Sequence, residues 1–557
     1  MYIIKRNGST TTFDKNKIYN AIMKAMKNGS GIVNRRIAIT IADDIEKYYI
    51  DTGEIPRVCK VEDMVYDKLI EHKQILTAKS YEGYRAVQAY KREKHPLDDS
   101  IIGLMDYTNE DVMLENSNKQ SKVVSTQRDL IAGEVNKHIA KTKMLPAHIV
   151  QAHEEGIIKI HDLDYYAQPI TNCQLVPLDD MFENGIVINK KFIETPKSLR
   201  TASTLATQIA AQISSFTYGG QTMSLSHLAP YVRISKNKIK QKLNEDMKCL
   251  GFYLTDEELE KVTMRRLKDE IKDSVQTFNY QLSTLNSTNG QSPFLSLVMY
   301  ISEDPEYEEE TAMLIEEFLK QRIEGMKNEF GVVSTPTFPK LLFFLDENNM
   351  YPDSKYYYLK QLAIEATAKR MNPDYISVKR MKELYGYAFP CMGCRSFLSP
   401  YFDENGKVQF YGRGNLGVVT LNLPHVALSA AGDEEKFWKI LDERLALCKE
   451  ALMLRYDKLK GVKAEVAPLL WQYGVFSRLN PDDEILPVLK KFTLSLGYIG
   501  LYETTKCITG VGHTEGEGYL FAYRLMKYLQ DTVLKWKEET GLGFALYGTP
   551  SESTAGY

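Results

Sequence analysis

No stretch of this sequence reaches the roughly 18 apolar residues that a membrane span requires; the nine-residue run Pro293 to Ile301 is among the longest. The opening Met1-Tyr-Ile-Ile-Lys-Arg-Asn-Gly lacks the apolar segment of an export signal. Neither sign of charge dominates: 70 Lys+Arg against 73 Asp+Glu leave a net charge of -3 over 557 residues. That balance speaks against a general nucleic-acid binder, which carries a basic excess. Cysteine is sparse, with seven residues at 59, 173, 249, 391, 394, 448 and 507. An odd number at irregular spacing excludes a disulfide scaffold and suits free thiols in a reducing cytoplasm. Low-complexity tracts and short repeats are also missing. What is present, 43% apolar and 26% charged residues, is the composition of a folded globular chain. The length allows three or four domains, or one large domain with a small appendage.

The first 95 residues read as a separate module. Tyr2 to Arg6 is a short strand, Asn7-Gly8 a hairpin turn and Ser9 to Phe13 the returning strand. Asp14 can cap a helix whose apolar positions Ile18, Ala21, Ile22, Ala25 and Met26 line one face, with Gly29 just past its end. Further helices are predicted near 35–50, 61–72 and 77–93, and Lys91 to Pro96 reads as a linker. From 96 to 557 the pattern alternates. Strands are predicted at Ile170 to Leu175, Pro293 to Ile301, Thr337 to Leu345, Met392 to Leu398, Leu416 to Leu423 and Gly543 to Tyr547. Helices are predicted near 124–142, 200–213, 225–248, 256–284, 306–327, 355–371, 433–457 and 516–539. Such alternation predicts one large α/β barrel or sheet.

Two constellations carry chemistry. Lys5 and Arg6 stand before the Gly8 turn, with Lys17 in the first turn of the next helix. Three cations beside a helix N-terminus suit a phosphate, or form a solvated charged hairpin. The second is dispersed. Cys391-Met-Gly-Cys394 has CxxC spacing, but a zinc ribbon needs a second such pair and there is none. Asn415 follows Cys394 by twenty-one residues, and far upstream His161-Asp-Leu-Asp-Tyr165 leads into Asn172-Cys173. On chemistry alone Cys173 and Cys394 read equally as inert core thiols. A hydrolase would need a histidine base, and no cysteine-protease signature surrounds either residue. Thr549, Ser551 and Ser553 make a hydroxyl-rich loop after a strand, suited to a phosphate tail or to a plain turn.

These residues resemble known families along the whole chain. Ile4-Lys5-Arg6-Asn7-Gly8, Phe13 and Lys17-Ile18 resemble the opening of an ATP-cone, the four-helix regulatory module at the front of many ribonucleotide reductases. The resemblance implies ATP or dATP as effectors, held by Lys5, Arg6, Gly8 and Lys17, with the helix around Tyr84, Arg85 and Lys91 closing the site. Met392-Gly-Cys-Arg-Ser-Phe-Leu398, His161 to Cys173, Arg413 to Pro424, Phe216 to Gln221 and Tyr547 to Ser553 resemble the anaerobic (class III) ribonucleoside-triphosphate reductases, a glycyl radical enzyme family. That resemblance implies a ten-stranded α/β barrel of two antiparallel halves around a central finger loop. Cys394 would become the thiyl radical that removes the ribose 3′ hydrogen, and Cys173 would deliver hydrogen at C2′. Asn415 would hold the ribose hydroxyls, Met392 would line the reductant pocket, and Thr549, Ser551, Ser553 and His161 would lie at the substrate. Ser396 stands where relatives that use a cysteine pair carry glutamate, which implies formate as reductant.

The family pattern also includes a four-cysteine zinc site and an Arg-Val-Cys-Gly-Tyr radical loop, and neither occurs here, since no cysteine follows Cys507. The expectation is therefore the large part of a split or truncated enzyme. It would be completed in trans by a glycyl radical segment and served by a radical S-adenosylmethionine activase. The alternative is an inactive nucleotide-binding remnant. The resemblance further implies a cytoplasmic homodimer.

Overall fold

A computed structural model describes residues 2–4, 10–94, 96–114, 119–288, 290–393 and 396–550; for Thr10, residues 87–94 and Pro96 it describes the backbone alone. Two compact units, 1–103 and 104–557, divide the chain.

In the first unit an antiparallel pair, β1 (Tyr2–Ile4) and β2 (Thr10–Thr12), precedes four helices. They are α1 (Lys15–Gly29), α2 (Arg35–Thr52), α3 (Val58–Glu71) and α4 (Ile75–Lys94). Local chemistry sets their ends. The Asp14 and Asn34 side chains accept amides at the starts of α1 and α2, and Gly53 ends α2 in the left-handed conformation. The apolar stripes meet in a core of their own, with Ile22, Met26, Ile41, Ile45 and Leu69 fully buried. The segment expected as a linker is still helical at Lys94, and a helix, Pro96–Met105, follows.

The second unit is built on one sheet, of nine strands among the described residues. These are β3 (Ile158–Ile160), β4 (Gln174–Leu175), β5 (Gln221–Ser224), β6 (Leu295–Met299), β7 (Lys340–Leu345), β8 (Asp374–Ser377), β9 (Arg413–Asn422), β10 (Thr493–Ile499) and β11 (Gly543–Gly548). Their order is β8-β7-β6-β5-β4-β9-β10-β11, with β3 also against β9. Strands β4 to β8 are mutually parallel, as are β9 to β11. The two halves meet antiparallel at β4 and β9, where Arg413 pairs with Leu175 and Gly414 with Gln174. The expected mixed α/β fold, preceded in the chain by a mostly helical module, is what forms; of the ten strands expected, the described residues make nine, in one sheet.

The eight helices predicted for this unit are α5 (Val124–Ile139), α6 (Leu199–Ile213), α7 (Ala229–Leu250), α8 (Asp256–Thr284), α9 (Glu308–Glu324), α10 (Tyr357–Arg370), α11 (Glu434–Asp457) and α12 (Gly516–Thr540). Strand β7 is apolar on both faces: Leu341 and Phe343 join the main core, while Leu342 and Phe344 join a second cluster. Strand β10 alternates, with Leu494 and Leu496 in the main core and Thr493, Ser495 and Gly497 between them. Two expectations need correction. Of Ile170 to Leu175, only Gln174–Leu175 is a strand. The described part of Met392 to Leu398 is not a strand but an irregular loop, closed by a bond from the Met392 amide to the Ser396 carbonyl at 2.8 Å. Its apolar Met392 and Leu398 are buried against Cys173 and Leu175 without pairing in the sheet.

Candidate active site

The antiparallel seam places the site. Cys173 immediately precedes β4 and is 4% exposed. Its thiol donates to Asn172 Oδ1 at 3.1 Å and accepts the Gly220 amide at 3.2 Å. Asn415, on β9, is bonded to the same segment through its backbone. Its amide donates to the Cys173 carbonyl at 2.8 Å and its carbonyl accepts the Asn172 amide at 3.0 Å. Its side chain is fixed at both ends, with Nδ2 donating to Ser495 Oγ at 2.6 Å and Oδ1 accepting the Gly417 amide at 2.8 Å.

The irregular loop brings the third component. Met392 is buried in one apolar cluster with Cys173, Leu175 and Leu398, and Tyr411 packs against it. The approach is close on both sides: a Cβ on Gly220 would stand 3.1 Å from Gly393 Cα, and a Cβ on Gly393 would stand 3.2 Å from Gly220 Cα. Gly219 is tighter, because a Cβ there would meet the Cys173 amide nitrogen at 2.5 Å. Thr222 Oγ1 anchors the loop by donating to the Cys391 carbonyl at 3.1 Å.

The C-terminal ends of β9, β10 and β11 carry hydroxyls. Thr420 Oγ1 lies 2.7 Å from Thr549 Oγ1 and 2.7 Å from His161 Nε2, so His161 and Thr549 share one partner. Gly497 leaves room for this, since a Cβ there would fall 2.3 Å from Thr549 Oγ1. Burial, then the Lys159 charge, pushes the His161 pKa down to about 4, so the ring is neutral at physiological pH. At the opposite end, beyond β5 and β6, a cavity of about 570 Å³ is lined by Glu303, His227, Tyr411 and other aromatic side chains. Glu303 accepts from Tyr411 at 2.6 Å, from Ser226 at 2.7 Å and from Ser224. Burial, then the Glu303 charge, raises the Tyr411 phenol well above its ordinary value and keeps it a proton donor.

Cys173, Asn415 and Met392 are thus brought together, and His161 joins Thr549. Cys394, Ser551, Ser553, Lys5, Arg6 and Gly8 lie outside the described residues, as does the Lys91 side chain. Lys17 is exposed in the first turn of α1, and Arg85 is engaged by Glu62, Asp63 and Glu82. Ser495, Gly220 and Tyr411 touch the site without having been singled out in the sequence; the Phe216 to Gln221 motif was the one signal pointing at Gly220. Among the described residues no group of three or more His, Cys, Asp or Glu side chains could hold a metal, and no helix is long and apolar enough to cross a membrane.

A family model described as anaerobic ribonucleoside-triphosphate reductase matches residues 115–557. The chain belongs to the anaerobic ribonucleoside-triphosphate reductase family. Residues 1–89 match a second model, the ATP cone domain. The Salmonella typhimurium anaerobic ribonucleoside-triphosphate reductase is 38% identical over 564 residues, covering 99% of this chain and 76% of that protein. The corresponding enzyme of phage T4 is 42% identical over 82% of this chain and 74% of its own length. Among solved structures, the Thermotoga maritima anaerobic ribonucleotide reductase in complex with dATP and CTP superposes with a TM-score of 0.57 at 17% identity, over 84% of this chain and 76% of that one. The activity is that of an oxidoreductase, the anaerobic reduction of ribonucleoside triphosphates, and the front of the reductase is a nucleotide-effector module.

Proposed function

We propose that the reductase converts ribonucleoside triphosphates to 2′-deoxyribonucleoside triphosphates by thiyl radical chemistry, with formate as reductant. The observation that carries this reading is the meeting of Cys173, Asn415 and the Met392–Gly393 turn at one buried point. In this reading Cys394, next after that turn, takes the 3′ hydrogen, and Cys173 gives a hydrogen at C2′ as the hydroxyl leaves as water. A thiol suits both steps because its S–H bond is weak enough to exchange hydrogen with carbon reversibly. Asn415 holds the ribose hydroxyls. Met392 lines the space for formate, whose oxidation to carbon dioxide supplies the two electrons. Thr549, with Ser551 and Ser553 after it, holds the phosphates beside His161.

The radical itself comes from a glycyl radical segment, charged by a radical S-adenosylmethionine activase in the cytoplasm. The working form is a homodimer. ATP and dATP act through Lys5, Arg6, Gly8, Lys17 and Lys91. The test is anaerobic turnover with the radical segment and activase supplied. Cys394→Ala and Cys173→Ala should each abolish deoxyribonucleotide formation, and formate omission should stop the parent. Full activity in either variant defeats the assignment, and no turnover under any complementation would favour a nucleotide-binding remnant.

A further inference from the structure

Side chains alternate across a strand, so residues two apart share a face. On β9, Leu416, Val419 and Leu421 belong to the main apolar core. Thr420 faces the other way, toward His161 and Thr549. In an unbroken strand Asn415 would share the face of Val419 and Leu421 and point into the core. It does not, because the pairing register with β10 slips between Asn415 and Gly417. Leu416 enters the core and Gly417 turns to α11, where a Cβ would stand 3.3 Å from Arg455 Cγ. Two neighbours therefore share the outer face, and Asn415 comes round to the inner one. There it meets Ser495, which lies between the core residues Leu494 and Leu496 and so faces inward.

The slip is pinned from both sides. Outside, Arg455 is 4% exposed and crosses the bare Gly417. Its Nε donates to the Leu416 carbonyl at 3.2 Å, and Nη2 reaches the Ile170 carbonyl and the Tyr218 hydroxyl, each at 3.2 Å. Its buried Nη1 has no hydrogen-bond partner among the described residues. A buried guanidinium with a spare donor is a costly way to fill space. What it provides is a donor for a carbonyl at the irregularity and a tie to the irregular segment leading into Cys173. Inside, Asn415 Oδ1 accepts the Gly417 amide, which locks the side chain to the bulge itself.

We infer that this β-bulge is the device that turns Asn415 toward the substrate ribose, and that Arg455 and Ser495 are its positioning residues. The inference rests on the ribose role of Asn415 proposed above. Its test reads binding, not turnover, using calorimetric titration of the full chain with CTP and 2′-deoxy-CTP and a melting curve for each variant. The parent prefers CTP, and Asn415→Ala loses roughly tenfold of that preference, the size of one hydrogen bond to a ribose hydroxyl. Ser495→Ala and Arg455→Gln lose a comparable factor. Asn415→Ala combined with Ser495→Ala loses no more than Asn415→Ala alone, and Ser495→Thr, which keeps the hydroxyl, restores the preference. Should Arg455→Gln fail to fold, Ser495→Ala carries the test, since it removes a single oxygen. A full preference in Ser495→Ala, with the loss still seen in Asn415→Ala, overturns the positioning role alone. No preference in the parent, or no loss in Asn415→Ala, overturns the ribose assignment and the inference with it.

Discussion

His153 and His161 flank β3, and both are held neutral by their surroundings. Burial, followed by the Lys159 and Lys141 charges, pushes His153 down to about 3, and its Nδ1 accepts the Ile160 amide at 3.3 Å. His161 is pushed down to about 4. The sign of the pH effect follows. Between the ordinary histidine value of about 6.5 and these depressed values, the unfolded chain binds protons that the native chain refuses. Stability therefore falls as pH drops from about 6.5 toward 4, and it is insensitive to these two groups above that window. His153→Gln, which cannot be protonated, should flatten the decline in melting temperature between pH 6.5 and 4.5 relative to the parent. Parallel curves for the two proteins would show that His153 takes no part.

The elements differ in how far their sequence announces them. The twelve long helices among the described residues were all legible, to within a few residues, because each must present an apolar stripe at helical spacing. Strands were legible only where apolar, as in β6 and β7. Strand β5, Gln221–Ser224, is fully buried yet mostly polar. Its side chains bond to Cys391, Ser214, Ala210 and Glu303, so its pattern never looked like a strand. The loop at Met392 to Leu398 failed in the opposite sense, being apolar without pairing. In the site, Cys173 and Asn415 were visible through their motifs. Ser495 and Arg455 were not, because a serine in an alternating strand and an arginine in a long helix acquire meaning only from what they face.

The contacts of Gly219 and Gly393 allow a graded prediction at this scale. Gly219→Ala sets a Cβ 2.5 Å from the Cys173 amide nitrogen and 2.1 Å from Asn172 Oδ1, where backbone must move. It should cost about 2 kcal/mol or more in denaturant unfolding. Gly393→Ala meets Gly220 Cα at 3.2 Å, which a shift of a few tenths of an ångström relieves. It should leave unfolding within about 1 kcal/mol of the parent; with the role proposed for Cys394, the next residue in sequence, it should lower turnover at least tenfold. Equal stability losses in the two variants would contradict the contacts.

The whole molecule divides into two compact units. The effector module and the sheet unit each bury their own core, so charge changes in the first should not reach substrate binding in the second. Lys5→Ala and Arg6→Ala are expected to weaken ATP and dATP binding at least tenfold, the size of a lost charge-assisted phosphate contact. CTP affinity should be unchanged by equilibrium dialysis; equal loss of both would contradict the modular division. The seam between β4 and β9 has a consequence at the same scale. Because the two halves run in opposite directions, the ends of their strands open at opposite poles. Glu303, Tyr411 and His227 stand at one pole, and His161, Thr420 and Thr549 at the other. Loops at one pole can lengthen, shorten or change composition without passing through the strands that end at the other. The two ends of one continuous sheet are thus open to change independently of each other.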